Sequence, residues 1–223
     1  MRFLRFNRDT DKIASFIFSY NRLELLKQSV AELKKFSEVH VIDDCSDNIE
    51  GYHLPIDITF HKTNQNYGKR GFWKLWRAAF QLAKESDATY FIFTAEDLLG
   101  WKESEVMRGI RHTPESAVIN FFRDHRDSSW NGIEPRDCGY FRQVFFVDCA
   151  VLIPRDVMEQ IDWFVPEVPA DFPHNSSGVG YMMTQFFNAN SITIMQPKRS
   201  WVEHHGNDCS VMHGKNRNFK AKR

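Results

Sequence analysis

The sequence is poor in the features that declare a function at once. Its four cysteines, Cys45, Cys138, Cys149 and Cys209, are scattered with no C-x-x-C pair. That spacing argues against a zinc cluster or a redox dithiol and leaves reduced thiols in a cytosolic protein as the simpler reading. Charge of one sign is also missing: Lys plus Arg is 29 and Asp plus Glu is 29, so attraction to a polyanion has to come from a local patch. No run of apolar residues is long enough to span a bilayer; "VFFVDCAVLI" is broken by Asp148. The N-terminal "MRFLRFNRDTDK" lacks the apolar stretch of a secretory signal. Internal repeats and low-complexity segments are absent as well. The expectation is a soluble cytoplasmic protein with no membrane partner.

What is present is core material. Apolar residues make up 42% of 223 residues, with 20 Phe, and 26% are charged, which suits one α/β domain. The first half alternates between two periods. "IASFIFS" (13–19), "VHVID" (39–43), "ITFHK" (58–62) and "YFIFT" (90–94) have the length and content of strands. Between them, "LELLKQSVAELKKF" places Leu23, Leu26, Val30 and Leu33 on one helical face. "GFWKLWRAAFQLA" does the same with Phe72, Leu75, Trp76, Ala79 and Leu82. Strand–helix alternation with short connections predicts a central, mostly parallel sheet flanked by helices.

Beyond residue 100 the pattern loosens. Strands are predicted at 116–122, 143–153 and 191–195, separated by long polar loops at 123–142 and 162–180. Loops of that length in a compact domain are more often binding elements than plain connectors.

Ligands of open α/β sheets bind outside the carboxyl ends of the strands. Three polar loops fall there: Ser19 to Arg22, Asp43 to Asp47, and Ala95 to Asp97. Glu96 and Asp97 end a strand that is otherwise apolar, and a buried carboxylate pair is costly without compensation. A hard divalent cation, Mg²⁺ or Mn²⁺, is one partner for such a pair, with substrate phosphate oxygens filling other positions. A helix N-cap is the other reading. Asp43 and Asp44 likewise admit an Asx turn or cap beside a contact to a base or ribose. His204 and His205, just beyond the last predicted strand, offer imidazole as a further metal ligand.

Taken together, S-Y-N-R-x-x-L-L after the first strand, V-I-D-D-x-S after the second, a carboxylate motif after the fourth and a late x-V-x-H-x-G resemble the GT-A glycosyltransferases, and within them the family-2 type. The resemblance spans roughly residues 12 to 206. It implies a GT-A catalytic domain over 1–210, with a nucleotide-sugar half (12–100), an acceptor half (101–210) and a basic tail (211–223). It also implies roles. Asp44 contacts the base of a uridine-type nucleotide, with Asp43, Ser19, Tyr20 and Arg22 nearby. In "NQNYGKRGFWK", Lys69 and Arg70 reach the diphosphate and Gly68 lets backbone approach it. "AED" takes the place of the D-x-D signature: Asp97 binds Mn²⁺ or Mg²⁺, Glu96 assists through sugar or ribose hydroxyls, and His204 or the adjacent His205 ligates the same metal. The donor implied is a nucleotide-diphosphate sugar, a UDP-sugar first.

Two departures from the pattern stand out. The first Asp of D-x-D is Ala95 here. The acidic pair that precedes a late helix in inverting members is also missing from "HNSSGVGYMMTQFF", which leaves Asp171 or Asp148 as candidate bases. A retaining route, in which the leaving phosphate takes the acceptor proton, stays open beside the inverting one.

For the acceptor, the tail carries Lys215, Arg217, Lys220, Lys222 and Arg223 without an acid. The loop 123–142 interleaves Arg123, Arg126, Trp130, Arg136, Tyr140 and Arg142 as a phosphate-binding and base-stacking surface would. "GNDCSVMHGKNR" looks like the ending of bacteriophage-type GT-A enzymes, some of which decorate hydroxymethylated pyrimidines. The expected acceptor is therefore 5-hydroxymethylcytosine in phage DNA, which would place the protein in the host cytoplasm. A cell-surface glycan is the alternative. Two other classes remain as rivals: an inactive transferase-like module binding DNA or sugar, and a nucleotidyltransferase. The last usually has a glycine-rich loop after the first strand, where this chain has "SYNR".

Overall fold

A computed structural model describes residues 6–7, 10–47, 53–123, 134–147, 150–173 and 176–205. Of the residues singled out above, Arg126, Trp130, Asp148 and the basic tail 211–223 lie outside that set.

The predicted alternation holds through residue 95. β1 (Ile13–Ser19), α1 (Leu23–Leu33), β2 (Glu38–Asp43), β3 (Thr59–Lys62), α2 (Gly68–Glu85) and β4 (Tyr90–Ala95) follow in that order. These four strands pair in parallel as β3-β2-β1-β4. After them come β5 (Leu98–Leu99), α3 (Glu103–His112), β6 (Ala117–Asn120), β7 (Arg136–Cys138), β8 (Phe141–Val144), β9 (Ala150–Pro154), α4 (Arg155–Gln160), α5 (Val179–Ala189), β10 (Thr193–Pro197) and β11 (Glu203–His204).

One nine-stranded sheet runs β3-β2-β1-β4-β9-β6-β10-β8-β7, and β5 pairs with β11 in a separate ribbon. Among the described residues, β9 and β8 run against the direction of the other strands of the large sheet. The sheet is thus mostly parallel in direction but mixed in its second half.

The run expected as one strand over 143–153 is instead two. β8 lies near the sheet edge beside β10, while β9 is inserted between β4 and β6. Both pieces carry buried apolar residues, and the interruption of the run at Asp148 falls between them.

Each strand face feeds its own core, because side chains alternate across a strand. Phe16, Phe18, Phe91 and Phe93 pack with Trp73, Trp76 and Phe80 of α2 on one side. Ile13, Ile17, Tyr90 and Ile92 pack with Leu26, Val30 and Leu33 of α1 and with Val106 and Ile110 of α3 on the other. Aromatic stacking tightens the first side: Trp76 lies 5.4 Å from Phe18 and 5.5 Å from Phe93, ring centre to ring centre. With helices on both faces and the strand ends in register (Ser19 opposite Asp43, Phe18 opposite Ala95), the three polar loops emerge together at one end of the sheet.

Candidate functional site

The loops are laced to each other through backbone and side chains. Asp44 N–H donates to Ser19 O (2.9 Å) and Glu96 N–H to Phe18 O (3.1 Å), so the ends of β2 and β4 are pinned to the end of β1. Asn21 takes a left-handed backbone (φ 54°), an angle that Asn tolerates better than most residues. Its side-chain Nδ2 donates to Asp47 Oδ2 at 2.8 Å, its Oδ1 accepts from the Asp47 N–H at 2.9 Å, and its own N–H donates to Ser46 Oγ at 2.8 Å.

That turn aims Arg22 back across the sheet end. Its guanidinium forms an ion pair with Asp97 Oδ2 and lies 3.6 Å from Glu96 Oε1. All three side chains are at most 13% exposed. Burial first, and then the charge of Asp97, push the Glu96 carboxyl up to about 8; Arg22 and the Tyr20 backbone N–H pull the other way. The pair is therefore not a cap on an exposed helix end but a buried acidic cluster with one arginine inside it.

The late histidines separate clearly. β11 pairs antiparallel with β5, setting His204 opposite Leu98, and His205 N–H donates to Asp97 O at 2.7 Å. His204 Nε2 comes to 3.4 Å from Asp97 Oδ2 at 13% side-chain exposure. The His205 side chain is exposed and faces Glu203 Oε2 at 3.8 Å. The structure thus brings Asp97 and His204 together and turns His205 outward.

Glu32 of α1, which nothing in its local sequence distinguishes, fastens the segment after Asp97. Its Oε2 accepts from Gly100 N (2.7 Å) and Trp101 N (3.0 Å), while Trp101 Nε1 donates to Leu98 O (2.9 Å).

These donors fit a divalent cation only in part. Asp97 Oδ1 is buried with no hydrogen-bond partner among the described residues, a situation that a cation would relieve. The carboxylate suits Mn²⁺ or Mg²⁺, whereas an imidazole is a ligand more typical of softer ions such as Zn²⁺. Among the described residues no three His, Cys, Asp or Glu side chains converge, so the protein would supply two or so ligands and a bound diphosphate the rest.

The second acidic loop is occupied by structural work. Asp43 closes an Asx turn, accepting from Ser46 N at 2.7 Å and Ser46 Oγ at 2.5 Å. Asp44 caps the start of α2, with Oδ1 accepting from Tyr67 N (2.8 Å) and Oδ2 from Gly68 N (2.9 Å). Burial pushes the Asp44 carboxyl up, while those two amides pull it down. The base and diphosphate contacts implied for Asp44 and Gly68 therefore meet groups already engaged with each other. Gly68 is required by that junction: its φ is +58°, and a Cβ would come within 3.2 Å of Asn66 Oδ1.

Ser19 is buried, and its Oγ has no hydrogen-bond partner among the described residues. Tyr20 and Lys69 are half-buried at the same sheet end. Arg70 is exposed, 5.8 Å above the Phe172 ring, and contacts Ser176 O at 3.4 Å. Asp171 is exposed beside Phe172, with no hydrogen bond or ion pair joining it to Asp97 among the described residues.

On the second half, Arg123, Arg142 and Lys198 line a cleft of about 360 Å³ with Glu134, Pro135 and Asp137. Arg123 is 8% exposed and bonds to Lys198 O, while Arg142 Nε donates to Gln196 Oε1 at 2.9 Å. Arg136 is exposed on β7. The predicted acceptor arginines within the described residues are thus neighbours, though two are also braced by the fold.

No family model matches the chain, and no curated protein matches it. Solved structures do. A glucose-1-phosphate thymidylyltransferase assignment from Bacillus anthracis, in complex with sucrose, superposes with a TM-score of 0.57 at 9% identity, covering 93% of this chain and 97% of that one. A197 from STIV superposes at 0.50 with 13% identity and coverage of 95% and 94%. A nucleotide-diphospho-sugar transferase assignment from Desulfovibrio desulfuricans G20 reaches 0.49 at 10% identity, over 83% and 79%. At such identities a likeness speaks to architecture alone: the chain shares with the Bacillus anthracis structure an α/β fold, here a mostly parallel, mixed central sheet flanked by helices.

Proposed function

We propose that this protein is a glycosyltransferase that takes a sugar from a nucleotide-diphosphate donor, a UDP-sugar first, at the Asp97–His204 site. The observation that carries the reading is the orphaned Asp97 Oδ1 in a buried carboxylate that also faces His204 Nε2 at 3.4 Å. Asp97 and His204 would hold Mn²⁺ or Mg²⁺, which when bound neutralises charge on the leaving diphosphate. Lys69 and Arg70, at the start of α2, would meet the same diphosphate. Ser19 Oγ and Tyr20 at the end of β1 supply polar groups toward the nucleoside. In transfer, the acceptor oxygen bonds to the anomeric carbon as the bond to the donor phosphate breaks, and the electron pair leaves with the nucleoside diphosphate. The acceptor proton goes to a carboxylate such as Asp171 or Asp148 in an inverting reaction, or to the departing phosphate in a retaining one.

The acceptor reading is a 5-hydroxymethylated pyrimidine in phage DNA. It is supported by the basic composition of residues 211–223 and by the Arg123–Arg142–Lys198 cleft. The hydroxymethyl group of such a base projects into the major groove, accessible with or without base flipping.

The test is donor turnover with UDP-glucose, UDP-galactose, UDP-N-acetylglucosamine and GDP-mannose. Each is run with Mn²⁺ and with EDTA, and with and without hydroxymethylcytosine DNA. Metal-dependent turnover of one donor, stimulated by the modified DNA and lost in a folded Asp97→Ala variant, is expected. Turnover indifferent to DNA would move the acceptor to glycans. No turnover or binding of any donor would leave a non-catalytic module.

A further inference from the structure

We propose that Arg22 is a built-in counter-ion at the metal position, so that a divalent cation at Asp97 competes with the guanidinium, which then turns to the donor diphosphate. The inference rests on the metal reading of Asp97 given above.

The geometry sets up the competition. Arg22 Nη1 is paired with Asp97 Oδ2, the same oxygen that His204 Nε2 approaches to 3.4 Å. It also lies 3.6 Å from Glu96 Oε1. A guanidinium and a dication therefore contend for one small buried acidic volume. Without a cation of some kind, the Asp97 carboxylate at 6% side-chain exposure would be left uncompensated, a costly state. With Arg22 in place, that charge is already answered, and a dication added beside it meets a like charge at close range in a poorly screened site.

A second feature separates this arrangement from an ion pair made for stability alone. Arginine usually grips a carboxylate through two parallel hydrogen bonds. Here the guanidinium engages Oδ2 and leaves Oδ1 of the same carboxylate buried with no hydrogen bond among the described residues. The donor set of Asp97 is thus half used. The backbone also allows Arg22 to redirect: it stands at the N-cap of α1, makes no side-chain cap bond, and follows the left-handed Asn21 that the Ser46 and Asp47 contacts hold in place.

A nucleotide-sugar diphosphate changes the balance. It brings negative charge with it, so a metal–diphosphate unit adds little net charge to the cluster. The displaced guanidinium gains phosphate oxygens suited to its fork. Metal and donor binding are then coupled through Arg22: each makes the other more favourable.

The experiment uses the full chain and Mn²⁺ alone, with free ion followed by electron paramagnetic resonance, then repeats the titration with UDP. Arg22→Gln is expected to bind Mn²⁺ about tenfold more tightly than the wild type in the absence of nucleotide, a coupling of ordinary size. UDP is expected to tighten Mn²⁺ binding more in the wild type than in Arg22→Gln. Asp97→Asn should abolish binding in both backgrounds. If Arg22→Gln needs the ion to stay folded, its melting temperature in Mn²⁺ against EDTA reads the same competition, and the rise should exceed that of the wild type. Equal or weaker Mn²⁺ binding in Arg22→Gln, with Asp97 still essential, would overturn the role of Arg22 and leave the metal site standing. Absence of Asp97-dependent Mn²⁺ binding in either protein would overturn both.

Discussion

Asp44→Ala should destabilise the protein before it says anything about nucleotide binding. The carboxylate is 5% exposed and accepts from the backbone N–H groups of Tyr67 (2.8 Å) and Gly68 (2.9 Å), joining the end of β2 to the start of α2. Its loss leaves two amides without their acceptor, and partial rehydration limits each loss to the low end of about 1–3 kcal/mol. A total of roughly 2–3 kcal/mol follows, or a fall in melting temperature of about 4–12 °C for a chain of this size. Asp44→Asn retains an acceptor and should lose less. The direction of the Asp44 shift agrees with this. Burial raises its folded value, so ionisation at neutral pH slightly opposes folding, and a neutral amide escapes that cost. Urea unfolding of the three proteins at pH 7 measures the order directly. A change under about 0.5 kcal/mol in Asp44→Ala would refute the cap as a structural element and return Asp44 to the ligand.

Two further outcomes can be checked on the same material. His204→Ala should weaken Mn²⁺ binding in the presence of UDP by about tenfold or more, while His205→Ala, whose side chain faces Glu203, should change it little; the opposite order in a calorimetric titration would reverse the assignment. The second concerns His40, stacked 4.8 Å from Phe16 and 5.8 Å from His61. Burial holds both histidines below their ordinary value, and Glu38, 3.1 Å from His40 Nε2, opposes this only in part. The unfolded chain therefore takes up protons first as pH falls below about 6.5, so this contribution to stability is complete above that pH and lost beneath it. The melting temperature of wild type should fall more than that of His40→Phe between pH 7.5 and 5; equal falls would remove the pair from the account.

The sequence by itself determined the architecture of residues 13–95. Its strands are apolar runs of the right length, its helices carry a 3.6-residue stripe, and α1 and α2 bury Leu26, Val30, Trp76 and Ala79 as that stripe requires. It also located the three loops at the strand ends, because strand direction follows from the strand–helix alternation. Other matters were decided only in three dimensions. That Asp43 closes a turn with Ser46 and Asp44 accepts from the Tyr67 and Gly68 N–H groups is one of these, since the residue types permit such contacts without requiring them. The break of 141–154 into β8 and β9 sends the two halves to different places in one sheet, which local composition does not record. Arg22 and Asp97 are 75 residues apart in the chain, and His204 reaches the pair only through the β5–β11 ribbon. Periodicity records which side of an element is buried, and it does so locally. A buried ion pair between distant loops leaves no periodic trace, because its residues are chosen by each other and by the ends of the strands that bring them together.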